Sequence, residues 1–130
     1  MILIDTDVCI ELLNGNKKVL QRRNEYDDPI GISFMSVAEL YYGAEKSSNP
    51  SKNHSLVEAL LLSLEIVQTD LSILKRFGMI KAPLVRSGTT IADADILVAA
   101  TAMEKGSKLI TGNMKHFQRI PGLVLENWTS

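Results

Sequence analysis

The chain has 130 residues, 45% of them hydrophobic, with 15 acidic against 14 basic side chains and a net charge of −1. That is the size of one ordinary domain with enough apolar material for a core. It excludes a strongly basic nucleic-acid binder, so positive charge for such a partner must come from a local patch. The single cysteine, Cys9, excludes an internal disulfide and a cysteine-based zinc site, and fits a reducing cytoplasm.

The opening stretch MILID is a short apolar run ending in acid, which predicts a buried strand. TDVCIELL follows with apolar residues at Val8, Ile10, Leu12 and Leu13 and stops at Asn14-Gly15, a short helix with a glycine-type end. Lys17 to Tyr26 is charged and helix-prone, and Asp27-Asp28-Pro29 breaks it. IGISF reads as a second strand, and SVAELYYGAEKS as a helix opening with a capping box of Ser36 and Glu39. SNPSKN is expected to be a turn, Leu56 to Leu64 an apolar helix, and EIVQT a third short strand. Asp70 to Ala82 predicts a helix closed by Pro83, VRSGTT a loop, and Ala92 to Lys105 a helix ending at Gly106. KLIT is a fourth strand, GNMKHF a turn or short helical segment, and LVLENW the last strand. Short strands alternating with helices predict a parallel sheet between helix layers, an α/β fold. No repeat, low-complexity tract or linker divides residues 1–130 into more than one expected domain. The first residues carry no basic n-region and no apolar run long enough for a signal peptide or membrane span. A soluble cytoplasmic protein is expected.

In open α/β sheets, ligands bind where the strands end at their C-terminal edge. Asp5 ends the first strand, Glu39 lies one turn into the helix after the second, and Asn113 follows KLIT. Asp93 and Asp95 start a helix that packs on the same sheet. Brought to one edge, these residues form an oxygen-rich pocket suited to Mg²⁺ or Mn²⁺. Without a metal, clustered acids repel one another and some must bind protons. A divalent ion removes that repulsion, turns water into a nucleophile and stabilises charge on a phosphate. Capping roles stay open for Asp5, Glu39 and Asp93. On a helix, residues two apart point to nearly opposite sides, so Asp93 and Asp95 cannot face the same way. Asp95 shares a face with Val98, Ala99 and Ala102, which places its carboxylate close to the sheet. His116 reads as a surface or turn residue, and neither histidine is tied to Cys9 by a nucleophile motif.

LIDTDVCIELL, SVAELYYGAEKS and DADILVAATAMEKGSKLITGNMKHFQRIPGLVLENW, in this order along nearly the whole chain, resemble the PIN-domain family. Within it the similarity is to the VapC branch, the toxin halves of bacterial VapBC toxin–antitoxin pairs. The resemblance implies a three-layer α/β/α domain with a four- or five-stranded parallel sheet. It also implies a Mg²⁺- or Mn²⁺-dependent endoribonuclease that cleaves tRNA or another structured RNA and inhibits translation. The family's catalytic, metal-holding acids fall on Asp5, Glu39 and Asp95, with Asp93 as a frequent acidic companion. The fourth position, often Asp in the family, is Asn113 here, and Asp7 stands where the family usually has Asn or Ser. The implied partners are RNA, a VapB-like antitoxin and a second copy of the chain. The apolar helices around Leu40–Tyr42 and Leu56–Leu62 are expected to supply the dimer face and the antitoxin groove. RNA contact is expected from Lys17, Lys18, Arg22 and Arg23, or from Lys115 and Arg119.

MILIDTDV also fits the opening of haloacid-dehalogenase-like phosphatases, with Asp5 as nucleophile and Asp7 as general acid. A third reading is a non-catalytic PIN-like module that binds RNA or protein.

Overall fold

The computed structural model describes residues 1–130. Its elements are β1 (Ile2–Ile4), α1 (Thr6–Leu13), α2 (Lys17–Asn24), β2 (Ile30–Ser33), α3 (Phe34–Glu45) and α4 (Pro50–Leu61). They continue with β3 (Glu65–Val67), α5 (Leu71–Arg86), α6 (Asp93–Lys105), β4 (Leu109–Ile110), α7 (Met114–Phe117) and β5 (Leu125–Glu126). The strands form one five-stranded sheet in the order β3-β2-β1-β4-β5. Every pairing is parallel. This is the α/β/α sandwich expected from the alternating elements. The chain moves outward from β1 to β2 and β3, then returns to the other side of β1 for β4 and β5. The β1–β4 junction is therefore the point where the strand order reverses, the place where open α/β sheets bind ligands.

Alternation along β1 divides the core. Leu3 packs with Leu109, Ile96, Ala99, Ile80 and Phe117 on the face covered by α5 and α6. Ile2 and Ile4 pack with Ile32, Ile110, Val8, Leu40 and Trp128 on the opposite face, under α1, α3 and α4. Neighbouring residues of a strand point to opposite faces, so a three-residue run of Ile-Leu-Ile serves both layers. Helix α6 buries Val98, Ala99, Ala100, Thr101 and Ala102. Its small side chains let the backbone come close to the sheet, and Thr101 satisfies its buried hydroxyl by donating to the Leu97 carbonyl at 2.7 Å.

Three local expectations are corrected. SNPSKN is not a turn throughout: α4 begins at Pro50, with the Asn49 side chain accepting from the Lys52 N–H at 3.2 Å. Proline at the first helical position has its φ preset and loses no needed N–H. Pro83 does not close α5, which runs on to Arg86. Ile73, Ile80 and Leu84 are all buried, so the apolar stripe continues past the proline and packing holds the helix there. Ser33, not Ser36, caps α3, its hydroxyl accepting from the Ser36 N–H at 3.1 Å. Glu39 is thereby released from a capping box.

At the β5 edge, Glu126 accepts from the Tyr26 hydroxyl and the Trp128 indole N–H. Arg22 and Lys108 stand at 3.3 and 3.5 Å from its carboxylate. Burial pushes the Glu126 carboxyl up, but these donors and cations outweigh it and hold it below the usual value. Trp128 is almost fully buried, so the knot fixes the last residues onto the sheet. Glu126→Ala orphans two donors and is expected to cost about 2–4 kcal/mol of stability. The smaller loss in Glu126→Gln, which keeps one acceptor oxygen, distinguishes this from simple truncation. The depressed pKa makes the wild-type contribution full above pH 4.5 and lost as pH falls through the folded value. Urea denaturation at pH 7 and at pH 3.5 checks both, and equal stability of Glu126→Ala and wild type at pH 7 refutes the assignment.

Candidate active site

The reversal between β1 and β4 delivers Asp5. Its backbone N–H donates to the Ile110 carbonyl at 2.8 Å, extending the strand pairing by one residue. Asp5 is also the N-cap of α1, so it carries the structural role that its sequence position allowed. One carboxylate oxygen accepts from the Thr6 N–H at 2.8 Å. The other accepts from the Thr111 hydroxyl at 2.9 Å, and that hydroxyl oxygen in turn accepts from the Asn113 N–H at 2.9 Å.

Three further carboxylates approach from different elements. Asp7, in the first turn of α1, accepts from the Val8 and Gly112 N–H groups at 2.8 and 2.9 Å. Gly112 keeps this contact close: a Cβ there would lie 2.8 Å from the Asp7 oxygen and 3.0 Å from the Thr129 hydroxyl and would push the carboxylate or Thr129 aside. Glu39 reaches across from α3 and accepts from the Thr6 hydroxyl at 2.7 Å. Asp95, in the first turn of α6, stands 3.5 Å from His116 Nδ1, and the same nitrogen is 3.0 Å from the Asn113 side-chain amide. A chain of hydrogen bonds thus runs from Glu39 through Thr6, Asp5, Thr111 and Asn113 to His116, whose ring stands beside Asp95.

Asp5, Glu39, Asp95 and Asn113 are therefore brought to one sheet edge. Asp93 is not among them. Its side chain is exposed and pairs with Lys81 of α5 at 2.8 Å, on the other side of α6 from Asp95. Thr6, Thr111 and His116 were not singled out by sequence reasoning. The signals available were weak: a threonine between two acids, a threonine closing a strand, and a histidine three residues after Asn113.

The electrostatics of the cluster are one-sided. Burial pushes the Asp5 carboxyl up to about 7 from 3.8, and the Asp7 charge adds to this. The hydrogen bonds from Thr111 and Thr6 oppose the rise, and Asp95 contributes a smaller push upward. Asp7 is raised as well, by burial first and by Asp95, against hydrogen bonds from Gly112 and Val8. None of the chain's ion pairs involves Asp5, Asp7 or Glu39. No three His, Cys, Asp or Glu side chains stand close enough together to hold a metal ion between them as they lie. The carboxylates rest on hydroxyl and backbone donors, all neutral, and their negative charge is left uncompensated. This donor set, carboxylates plus an amide, fits a hard divalent cation. Cys9 belongs to none of this: it is buried in the core, where desolvation pushes its thiol up and makes it a poor nucleophile.

Beside Glu39 an apolar groove runs between α1, α3 and α4, lined by Ile10, Leu13, Leu40, Leu56 and Val57.

A raised carboxyl pKa means that the native state resists ionisation. Asp5 therefore subtracts stability as pH rises from about 4 toward 7, and the deficit is constant above that. Asp5→Asn removes it. In EDTA the variant is expected to melt above wild type at pH 8, with the gain shrinking toward pH 4.5. Scanning calorimetry at the two pH values checks this, and a variant no more stable than wild type at pH 8 contradicts it.

The PIN-domain family model matches residues 2–123. The tRNA(fMet)-specific endonuclease VapC of Salmonella typhimurium is 35% identical over 127 residues, covering 97% of this chain and 96% of that protein. Ribonuclease VapC2 of Haemophilus influenzae is 36% identical over the same span, with the same coverage. Among solved structures, VapBC2 from Rickettsia felis bound to a promoter DNA fragment superposes with a TM-score of 0.93 at 32% identity. It covers 98% of this chain and 99% of that one. DNA-bound VapBC from Salmonella typhimurium gives 0.92 at 34% identity, covering 98% and 97%. These matches overturn the dehalogenase-like phosphatase reading, as does Asp7, both of whose oxygens are committed to backbone N–H groups rather than free for a leaving group. The chain belongs to the PIN-domain family, within its VapC branch.

Proposed function

We propose that this chain is a divalent-metal-dependent endoribonuclease, the toxin half of a toxin–antitoxin pair, which cleaves phosphodiester bonds in tRNA or another structured RNA. One observation carries the reading. Carboxylates of Asp5, Glu39 and Asp95, distant in sequence, meet at the strand-order reversal of a chain matched end to end by named VapC ribonucleases. Asp5, Glu39 and Asp95 hold Mg²⁺ or Mn²⁺, with Asn113 as a neutral oxygen ligand. The ion, when bound, supplies an acidified water and charge stabilisation for the scissile phosphate. The protein's own contribution is to aim the carboxylates. Thr6 holds Glu39, Thr111 holds Asp5, and Gly112 holds Asp7, each through a neutral donor that leaves the negative charge available.

For RNA contact, the two basic groups differ. Arg22 is paired with Glu25 and Glu126, and Arg23 donates to the Ser63 carbonyl, which leaves only Lys17 and Lys18 of that group exposed and unpaired. Lys115 and Arg119 are exposed, enter no ion pair, and flank His116 beside Asp95. The α7 side is the backbone-binding side. Asp5→Asn and Asp95→Asn are each expected to reduce Mg²⁺- or Mn²⁺-dependent RNA cleavage by more than the roughly 10–100-fold typical of a lost ligand-supporting group. Lys115→Ala raises KM with kcat little changed. Cleavage of total tRNA, followed by end sequencing with EDTA as control, measures these. Cleavage that persists in EDTA or in Asp5→Asn defeats the metal mechanism, and no cleavage by wild type leaves the non-catalytic module in its place.

The VapBC complexes among the neighbours support an antitoxin partner, and the groove beside Glu39, with Ile10 and Leu56 exposed in it, is its seat. The dimer face is α5, where Leu71, Leu74, Met79 and Val85 stand exposed, rather than the Leu40–Tyr42 region, where Leu40 is buried, Tyr41 half-buried and only Tyr42 exposed. Exposed apolar residues gathered on one helix mark a contact with another protein surface. Light scattering on the chain alone is expected to give a dimer that Leu74→Glu converts to monomer. Ile10→Glu leaves the dimer intact but prevents co-purification with the product of an adjacent small reading frame. The reverse pattern assigns the two faces the other way.

A further inference from the structure

Asp95 and Asn113 belong to separate elements, the first turn of α6 and the residue that starts α7, and one imidazole nitrogen lies between them. His116 Nδ1 is 3.0 Å from Asn113 Nδ2 and 3.5 Å from Asp95 Oδ2. The three-residue spacing from Asn113 to His116 puts both on one side of this short helix. The His116 side chain is 49% exposed, whereas Phe117 beside it is fully buried, so Phe117 anchors the turn and packing does not account for the ring's position.

An amide nitrogen only donates, so with Asn113 Nδ2 against it Nδ1 accepts and the ring proton sits on Nε2; Asp95 Oδ2, 3.5 Å from the same nitrogen, is then a neighbour and not a hydrogen-bond partner. That bond decides which way round the Asn113 amide lies. Its nitrogen is tied to the ring, and its Oδ1 is the end left free. Hard cations take carbonyl oxygens, and an amide NH₂ has no lone pair to offer them. We propose that His116 is a positioning residue of the metal site: by engaging Asn113 Nδ2 at its Nδ1, it presents Asn113 Oδ1 beside Asp95 as a neutral ligand oxygen. The inference rests on the metal-binding reading of the acidic cluster and extends it to a side chain that contacts no cation itself.

The test is Mn²⁺ affinity, read as free Mn²⁺ by electron paramagnetic resonance, with melting temperature as a fold control. His116→Ala and His116→Gln are expected to weaken Mn²⁺ binding about tenfold. His116→Asn, whose side-chain amide occupies the Nδ1 position, stays near wild type. All three melt with wild type, because the ring is exposed. A merely structural role would instead track melting temperature across the set. Wild-type affinity in His116→Ala or His116→Gln overturns the proposal, and so does a His116→Asn variant as weak as His116→Ala. If wild type itself takes up no Mn²⁺, the metal site and the inference fall together. If wild type binds and the variants match it, only the inference falls.

Discussion

The hydrogen bond from the Asp5 N–H to the Ile110 carbonyl is the constraint on which the site depends. It carries the β1–β4 pairing one residue beyond the strands proper, and so places a carboxylate where the sheet's connectivity reverses. Apolar residues on both sides of the sheet hold that register: Leu3 opposite Leu109 on one face, Ile4 opposite Ile110 on the other. A slip of one residue would exchange the two faces of β1 and move Asp5 away from the strand-order reversal. The core and the site are therefore set by one pairing.

The position that makes Asp5 useful also makes it costly. Burial and the neighbouring Asp7 and Asp95 charges oppose its ionisation, and only neutral donors answer them. A lysine or arginine beside Asp5 would stabilise the chain better, but would neutralise the charge on which the proposed metal site rests. Threonine hydroxyls and backbone N–H groups give orientation without neutralisation. The chain's strong ion pairs lie elsewhere: Arg76 with Glu104, Lys105 with Asp70, and Lys81 with Asp93 all brace α5 against α6. Asp70, although solvent-exposed, is held below the usual carboxylate range by the Lys105 and Ser72 hydrogen bonds. Structural charge is paired, and site charge is left open.

Much of this was legible in the sequence because it depends on local rules. Alternating apolar runs and glycine or proline breaks located the strands and most helices; the acid ending the first strand pointed to Asp5, and the apolar face of the Ala92–Lys105 helix pointed to Asp95. The misreadings came where a local signal competed with packing. Pro83 should end a helix, but Leu84 continues a buried stripe and the helix follows it. Ser36 and Glu39 spell a capping box, but Ser33 captures the cap and Glu39 turns to Thr6, a partner 33 residues away. The Thr111–Asp5 bond spans 106 residues, so no spacing rule reaches it. His116 has an ordinary surface exposure, and only the approach of α6 to α7 gives its ring a role.

The charge count of the site follows from the same geometry. Relative to the family pattern that the sequence resembles, one carboxylate is missing at Asn113 and one is gained at Asp7. The loss makes the β4–α7 side neutral, and Asp93 cannot restore it while it faces Lys81 across the outer side of α6. Asp7 is differently placed. Its carboxylate accepts from the N–H of Gly112, the residue immediately before Asn113, where a side chain could fit only by displacing Asp7 or Thr129. The charge has moved from one side of the β4–α7 loop to the side facing α1, with the number of carboxylates unchanged. Because Asp7 also raises the Asp5 carboxyl, the exchange couples the two aspartates more closely and leaves Asn113 as an amide whose orientation a neighbour must fix. The structure supplies that neighbour in His116, so the substitution at one position and the histidine three residues on are parts of one arrangement.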